Sequence, residues 1–486
     1  MAHSTDSPRQ WAARALSYVR LRPFTTHTAE DRSRERYRRL TLTALASMSA
    51  KGVKVLTALV SVPLTINYLG TERYGLWMTI GSLVTVLAFA DLGLGNGLLN
   101  AIAEADGRDD RGIAARIVSS AFVMLSTVAL LLGTALIVLF PVIPWGRIFN
   151  VTSARALVEA GPAAAVFLGC FLISLPAGIV QRVQLGYQEG FANSLWETAG
   201  SVLGLAGILI ATRYRAGLPW LVLAMAGGPT LTLILNAIVL FARRRPYLRP
   251  SFRRADRATA VGLFRVGILF FVLQVVGAAA FFSDNLIAAH VLGAAAVTQY
   301  AVPMKLFDMV TLVCSFLLAP LWPAYGEAIA RGDHAWAKRM LTRSLSGTFV
   351  GTAVAALGIV LAAETFLRIW AAGAVHAPMV LLIGFGVWTV LNTCGMAVAM
   401  FLNGVSAIRV QVVCAVAMGA SALALKILFA RRFGLPGIIW GTVIAYSLCT
   451  AVPMAFYLPR LLRELARRHQ RPSAPILGAT QEASIA

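Results

Sequence analysis

Charge is scarce in this chain, and acid is scarcer still. Of 486 residues only 13% are charged, and 21 acidic side chains stand against 43 basic ones. An ordinary soluble domain carries roughly 25% charged residues, so a water-facing surface of the usual kind is excluded. Cysteine and histidine are also few. Cys170, Cys314, Cys394, Cys414 and Cys449 all lie in apolar segments, without CxxC spacing or a neighbouring histidine pair, so neither a metal site nor a disulfide framework is indicated and small apolar filling is expected. His3, His27, His334, His376 and His469 fall in arms or loops, and His290 sits near the outer end of an apolar run, where an interfacial role is expected. No nucleotide-binding P-loop occurs, and nothing calls for a cofactor or a metal.

What is present is apolar: 58% of residues are hydrophobic and the mean hydropathy is +0.73. A spanning helix needs roughly 20 apolar residues, and the hydropathy offers about twelve candidates: 41–69, 75–103, 113–142, 156–188, 192–212, 218–242, 258–283, 297–323, 339–363, 378–405, 409–430 and 436–458. The expected fold is an all-α polytopic membrane protein. The first forty residues are polar and arginine-rich and lack a signal-peptide pattern, so the first span is expected to serve as its own insertion signal.

A net charge of +22 could suggest nucleic acid as a partner, but its placement argues against that. The arginines concentrate in the arm Arg9 to Arg39, in the segment Arg243 to Arg257, in Arg331 to Arg343 and in the tail Arg460 to Arg471. With twelve spans all four regions fall on one side, which the positive-inside rule names as cytoplasmic, with both termini inside. The pairs Arg213/Arg215 and Arg431/Arg432 are exceptions on the opposite side. In the arm, Trp11, Ala15, Leu16 and Val19 share a face beside Arg9, Arg14, Arg20 and Arg22, a pattern that either lies on an anionic leaflet or stays disordered.

The chain divides at RRRPYLRPSFRRADR, residues 243–257. The expected organisation is an arm (1–40), a first lobe of six spans (41–242), a basic linker (243–257), a second lobe of six spans (258–458) and a tail (459–486). The halves resemble one another. Leu69-Gly70 is followed by Tyr74 and, at a helix end, AIAEADGRDD; Leu292-Gly293 is followed by Tyr300 and EAIARGDH. Six spans per half is an even number, so the repeats run parallel, and in transporters built this way the substrate binds between the halves.

Against this apolar background, Lys51 and Lys54 stand out inside the first span. A charge near the bilayer centre costs about 2.5–3.5 kcal/mol on insertion scales, and such residues usually face a water-filled cavity or a partner. Ser47, Lys51, Lys54, Ala58, Ser61 and Thr65 follow helical steps on one face. This is either a cavity wall that receives an anion or a pair of lysines held by buried carboxylates. Asp91, Glu197, Asp284 and Asp308 are the acids available for pairing. Asp91, within DLGLGNG, suits pairing or capping ahead of ion coupling, and Asp284 reads as interfacial and solvated. Lys305 and Asp308 can meet on one helix or can face the same cavity as Lys51. Matching Gly70 to Gly293 sets Gln274 opposite Lys51 in the repeat. Tyr300 is a further polar candidate for the cavity, whereas Arg265 is expected to snorkel to the headgroups. Asp109 and Asp110 read as a solvated loop or helix cap.

YLGTERYGLW (68–77), DLGLGNGLLNAIAEADGRDD (91–110) and DNLIAAHVLGAAAVTQYAVPMKLFD (284–308) resemble the polysaccharide-transporter branch of the multidrug/oligosaccharidyl-lipid/polysaccharide exporter superfamily, over about residues 41–460. The resemblance implies two pseudo-symmetric six-helix lobes around a central cavity lined by spans 1, 2, 7 and 8. It also implies a cargo of undecaprenyl-pyrophosphate-linked oligosaccharide, flipped across the bacterial inner membrane by alternating access. Lys51, Lys54 and Lys305 then hold the diphosphate, Ser47, Ser61, Gln274 and Tyr300 line the cavity, and Asp91, Asp284 or Asp308 couple an ion or pair with a lysine. The expected partners are the lipid-linked oligosaccharide, anionic membrane lipids, and the polymerase and glycosyltransferases of polysaccharide synthesis. A cation-coupled drug exporter of the same fold, or a membrane polymerase or glycosyltransferase, are the alternatives. The two extra C-terminal spans of peptidoglycan-precursor flippases are not seen, and the long basic arm is not part of the family pattern.

Overall fold

The computed structural model describes residues 28–149, 151, 153–370 and 377–469. The amphipathic segment of the arm, His376 and the end of the tail lie outside the described residues. Helices follow one another almost without interruption: α1 (Ala29–Leu87), α2 (Leu94–Gly107), α3 (Arg111–Leu139), α4 (Ala154–Gly186), α5 (Gly190–Arg213), α6 (Leu218–Arg244), α7 (Arg257–Leu292), α8 (Gln299–Ala330), α9 (His334–Ala363), α10 (Met379–Gly404), α11 (Ile408–Phe433) and α12 (Leu435–Leu465). The ten helices α3 to α12 are long and apolar enough to cross a membrane. The first helix is bent at Gly70 (φ 75, ψ 170), and its two arms, the second continued by α2, are consistent with the expected twelve crossings. The chain is a multi-pass membrane protein.

Helix starts follow local chemistry. The Asp110 carboxylate accepts from the Ile113 amide (2.8 Å) to begin α3, and Asp256 accepts from the Thr259 amide (2.9 Å) to begin α7. The first helix begins at Ala29, before the apolar run, so residues 29–40 extend the first span and are not a free arm. Glu35 holds Arg38 (2.7 Å) and Arg39 (2.9 Å) one turn on, which stabilises this charged first segment.

Two lobes result. The first packs around clusters that include Leu98, Ile102, Val118 and Val183, and Trp77, Ile80, Ala163 and Leu221. The second packs around Tyr300, Phe307, Phe385 and Ile438, and Tyr325, Trp336 and Phe401. Within lipid, helices associate through small residues that let backbones approach. Gly200 and Gly204 of α5 serve this purpose: a Cβ on Gly228 of α6 would lie 2.7 Å from the Gly204 nitrogen.

The repeat is visible in the backbone. Gly293, between α7 and α8, has φ 93 and ψ 161, nearly the conformation of Gly70, a region that L side chains avoid. In that register Asp109 (φ 55) meets Gly332 (φ 78). Glu104, Arg108 and Asp110 then correspond to Glu327, Arg331 and Asp333.

Candidate functional site

The lobes meet through α2, where Gly97 and Gly107, with Gly93 just before the helix, face the second lobe. A Cβ on Gly93 would collide with the Gly267 carbonyl oxygen, one on Gly97 would lie 3.2 Å from the Leu263 carbonyl oxygen, and one on Gly107 would collide with Ala330. Phe89 meets Phe271 edge to face, with centroids 6.5 Å apart. Nearer the basic face, Trp322 Nε1 donates to Asn100 Oδ1.

At the basic face the seam is ionic. Arg36 of α1 bridges Glu327 (2.5 Å) and Asp333 (2.8 Å), and its guanidinium lies 4.9 Å from the Trp336 ring centroid. Arg331 pairs with Glu327 on its own helix and with Asp109 of the first lobe (2.7 Å), and donates to the Asp106 carbonyl oxygen (2.9 Å). The hydrogen bond from Arg331 holds the Asp109 carboxyl below its ordinary range. Burial pushes the Asp106 carboxyl up to about 6. The cross-lobe contacts therefore cluster between mid-span and the basic face, and the lobes are latched there.

Beyond this seam lie several of the sequence candidates. Lys51 and Lys54 are exposed, and no ion pair joins either to another described residue. They lie about 28 and 24 Å along the helix from Gly70 at 1.5 Å per residue. Lys305 and Asp308 are likewise exposed, about 18 and 22 Å from Gly293. The local Lys305–Asp308 ion pair does not form in this state. Gln274 is half-buried and continues the α7 stripe of Leu263, Gly267 and Phe271, the face turned to the first lobe.

Other candidates go elsewhere. Ser47 bonds Ser194 of α5 (3.1 Å), while Ser61 and Thr65 are buried, so the small-residue stripe turns into the lobe above Lys54. The Asp91 carboxylate accepts from the Gly93 amide (2.9 Å) and lies 3.9 Å from Arg182.

Asp284 and Tyr300 depart from expectation. Asp284 is buried, not solvated, and Tyr300 is wholly enclosed in the second lobe, with its hydroxyl donating to Asp284 (3.0 Å). The reason is Lys426 of α11, 1% exposed, whose ammonium lies 2.5 Å from Asp284. A buried carboxylate needs such a partner. Lys426 was missed, although it lies in an apolar run and raises the same energetic question as Lys51. The second lobe also carries a half-open apolar pocket of about 540 Å³, lined by Leu273, Trp388, Met396, Met418 and Tyr446 among others. No group of three or more metal-ligating side chains occurs among the described residues.

Fold and seam together define a two-lobed helical membrane protein with a latch on one face and exposed cations at mid-span. Residues 42–329 match the family described as "Polysaccharide biosynthesis protein", and the chain belongs to that family. It is 21% identical over 433 residues to a putative O-antigen export protein of Yersinia pseudotuberculosis, covering 88% of this chain and 96% of that one. It is 22% identical over 291 residues to a putative O-antigen transporter of Salmonella typhimurium, covering 58% and 63% respectively. Among solved structures, MATE in the bent conformation superposes with a TM-score of 0.74 at 18% identity, covering 90% of this chain and 97% of that one. At that identity the likeness speaks for the fold alone.

Proposed function

We propose that this protein is a polysaccharide-related transporter that flips a lipid-linked oligosaccharide, an undecaprenyl-pyrophosphate-linked repeat unit, across the bacterial inner membrane by alternating access. It is not an enzyme in this reading. Family membership and the names of the O-antigen relatives support the cargo class. The positive-inside rule makes the latched face cytoplasmic and sets both termini there. The state described here is then closed to the cytoplasm.

The observation that carries the reading is the set Lys51, Lys54 and Lys305: exposed cations, contributed by both halves, on spans that flank the seam and with no acidic partner among the described residues. An ammonium kept without a carboxylate at this depth is costly, and a diphosphate passing between the lobes would offset that cost. Gln274 contributes a neutral donor on the facing side. Asp91 is occupied as a cap and Asp284 by Lys426, which leaves Asp308 as the acid available for coupling an ion. Glycosyltransferases would supply the cargo and a polymerase would consume it. The test is export by cells that carry Lys51→Ala/Lys54→Ala. Accumulated lipid-linked intermediate with lost surface polymer supports the diphosphate site; normal export without accumulation overturns it.

A further inference from the structure

The ionic latch has a twin that is not closed. In the register set by Gly70 and Gly293, Thr259 at the start of α7 stands where Arg36 stands in α1, and Arg111 and Arg116 at the start of α3 stand where His334 and Arg339 stand in α9. Arg36 fills its side of the seam. The short Thr259 does not, and a pocket of about 1000 Å³ opens between the first turns of α3 and α7, roofed by the linker.

The electrostatics of this pocket favour one sign. Arg111 and Arg116 come from α3 and Arg253 and Arg254 from the linker, while Tyr247 forms one wall, with the Arg111 guanidinium 5.4 Å from its ring centroid. The single acid in the lining, Asp256, is engaged by both the amide (2.9 Å) and the hydroxyl (2.8 Å) of Thr259. Two helix N-termini add their partial positive charge. An anion fits here, and phosphate oxygens suit several guanidinium forks at once.

The surroundings say what carries the phosphate. Phe252, in the linker beside the pocket, is 74% exposed and meets Phe122 edge to face at 6.4 Å. Along α7 below it, Val261 and Phe264 are exposed as well. A basic pocket at the ends of spanning helices, continued by an apolar wall along them, matches an amphiphile with an anionic head and hydrocarbon tails. We propose that this pocket binds the phosphate head group of an anionic membrane phospholipid, next to the linker that joins the lobes.

The test uses the full-length protein in phosphatidylcholine nanodiscs, with phosphatidylglycerol titrated in and bound lipid counted by native mass spectrometry. Each arginine is worth about fivefold in lipid affinity. Arg116→Gln/Arg253→Gln should therefore weaken phosphatidylglycerol about 25-fold with unchanged melting, and the variant that also carries Arg111→Gln/Arg254→Gln should weaken it further. Arg243→Gln/Arg244→Gln, which removes the same charge from the same face outside the pocket, should have less than a threefold effect. Three results would each overturn the proposal. The first is a loss under threefold in Arg116→Gln/Arg253→Gln. The second is an equal loss in the control, which would mean diffuse charge. The third is displacement of the lipid by equimolar glycerol phosphate, which would mean a soluble phosphate site.

Discussion

The two halves of this protein share one backbone plan and spend their charge differently. At the basic face, Glu104 and Arg108 form an i,i+4 pair whose side chains are half-exposed (50% and 47%), while their counterparts Glu327 and Arg331 are mostly enclosed (7% and 22%) and share the seam with Arg36. Within the membrane, Ser61 and Trp77 of the first half correspond to Asp284 and Tyr300 of the second. The left-handed turns at Gln188 (φ 58) and Ser406 (φ 57) set Ile208 opposite Lys426. At these positions the first half is neutral and the second holds a buried ion pair.

The largest break in this comparison is expected at Lys426. Lys426→Met leaves Asp284 uncompensated in the lobe interior, a loss of about 4 kcal/mol, since removing one partner of a buried pair typically costs 3–5 kcal/mol. The double variant Lys426→Met/Asp284→Asn should melt closer to wild type than either single variant, because it reproduces the neutral arrangement of the first half. Thermal melting in nanodiscs measures both, and a double variant less stable than each single one would mean that the pair itself is net stabilising.

Arg36→Ala comes next. It leaves Glu327 to Arg331 alone and takes the guanidinium from Asp333, and a loss of about 3 kcal/mol in closure at the basic face is expected, roughly a hundredfold shift towards the opened seam. Cysteine crosslinking across the seam, between positions 100 and 406, where the Asn100 and Ser406 side chains lie 3.5 Å apart, should fall accordingly, while total stability falls less than in Lys426→Met.

How far the sequence reaches is clear from the same residues. The repeat, the bend at Gly70 and the apolar spans were legible because they are local: a glycine at a forbidden dihedral and runs of hydrophobic residues are visible in a window. The seam was half legible. AIAEADGRDD and EAIARGDH read as equivalent, but nothing in either string says that the Glu104–Arg108 pair of one stays half-exposed while the other receives Arg36 from nearly three hundred residues away. Residues 29–40 read as an arm because charge lowers their hydropathy, although Glu35 pairing with Arg38 and Arg39 is itself a helical signal. Tyr300 reads as a cavity residue and Asp284 as a solvated interfacial one because a polar side chain in a span looks the same whether water or a lysine on another helix satisfies it.

Asp106 and its counterpart Ile329 sharpen the comparison through pH. Burial raises the folded-state carboxyl to about 6, against an ordinary 3.8, so the folded protein keeps a proton that the unfolded chain has lost. Stability is therefore lost as pH rises from about 4 through 6 and is flat beyond. Asp106→Asn removes that slope. Set equal to wild type near pH 4, the variant should exceed it by about 2–3 kcal/mol at pH 7.5. Parallel melting curves at both pH values would sink the assignment.

The smallest effect is expected at Arg108, and its smallness is the point. Arg108 and Glu104 make the same i,i+4 contact as Arg331 and Glu327, at 2.5 Å, but both side chains are about half-exposed. Solvent-exposed pairs contribute about 0.3–0.5 kcal/mol on a helix, because water screens the attraction and two flexible side chains must be ordered to make it. Arg108→Ala should therefore shift melting by less than 0.5 kcal/mol, whereas Arg331→Ala also removes the two cross-lobe contacts, to the Asp109 carboxylate and the Asp106 carbonyl oxygen, and should cost several times more. If the two substitutions cost the same, the seam contributes nothing beyond what each helix does alone, and the asymmetry between the halves has no energetic content.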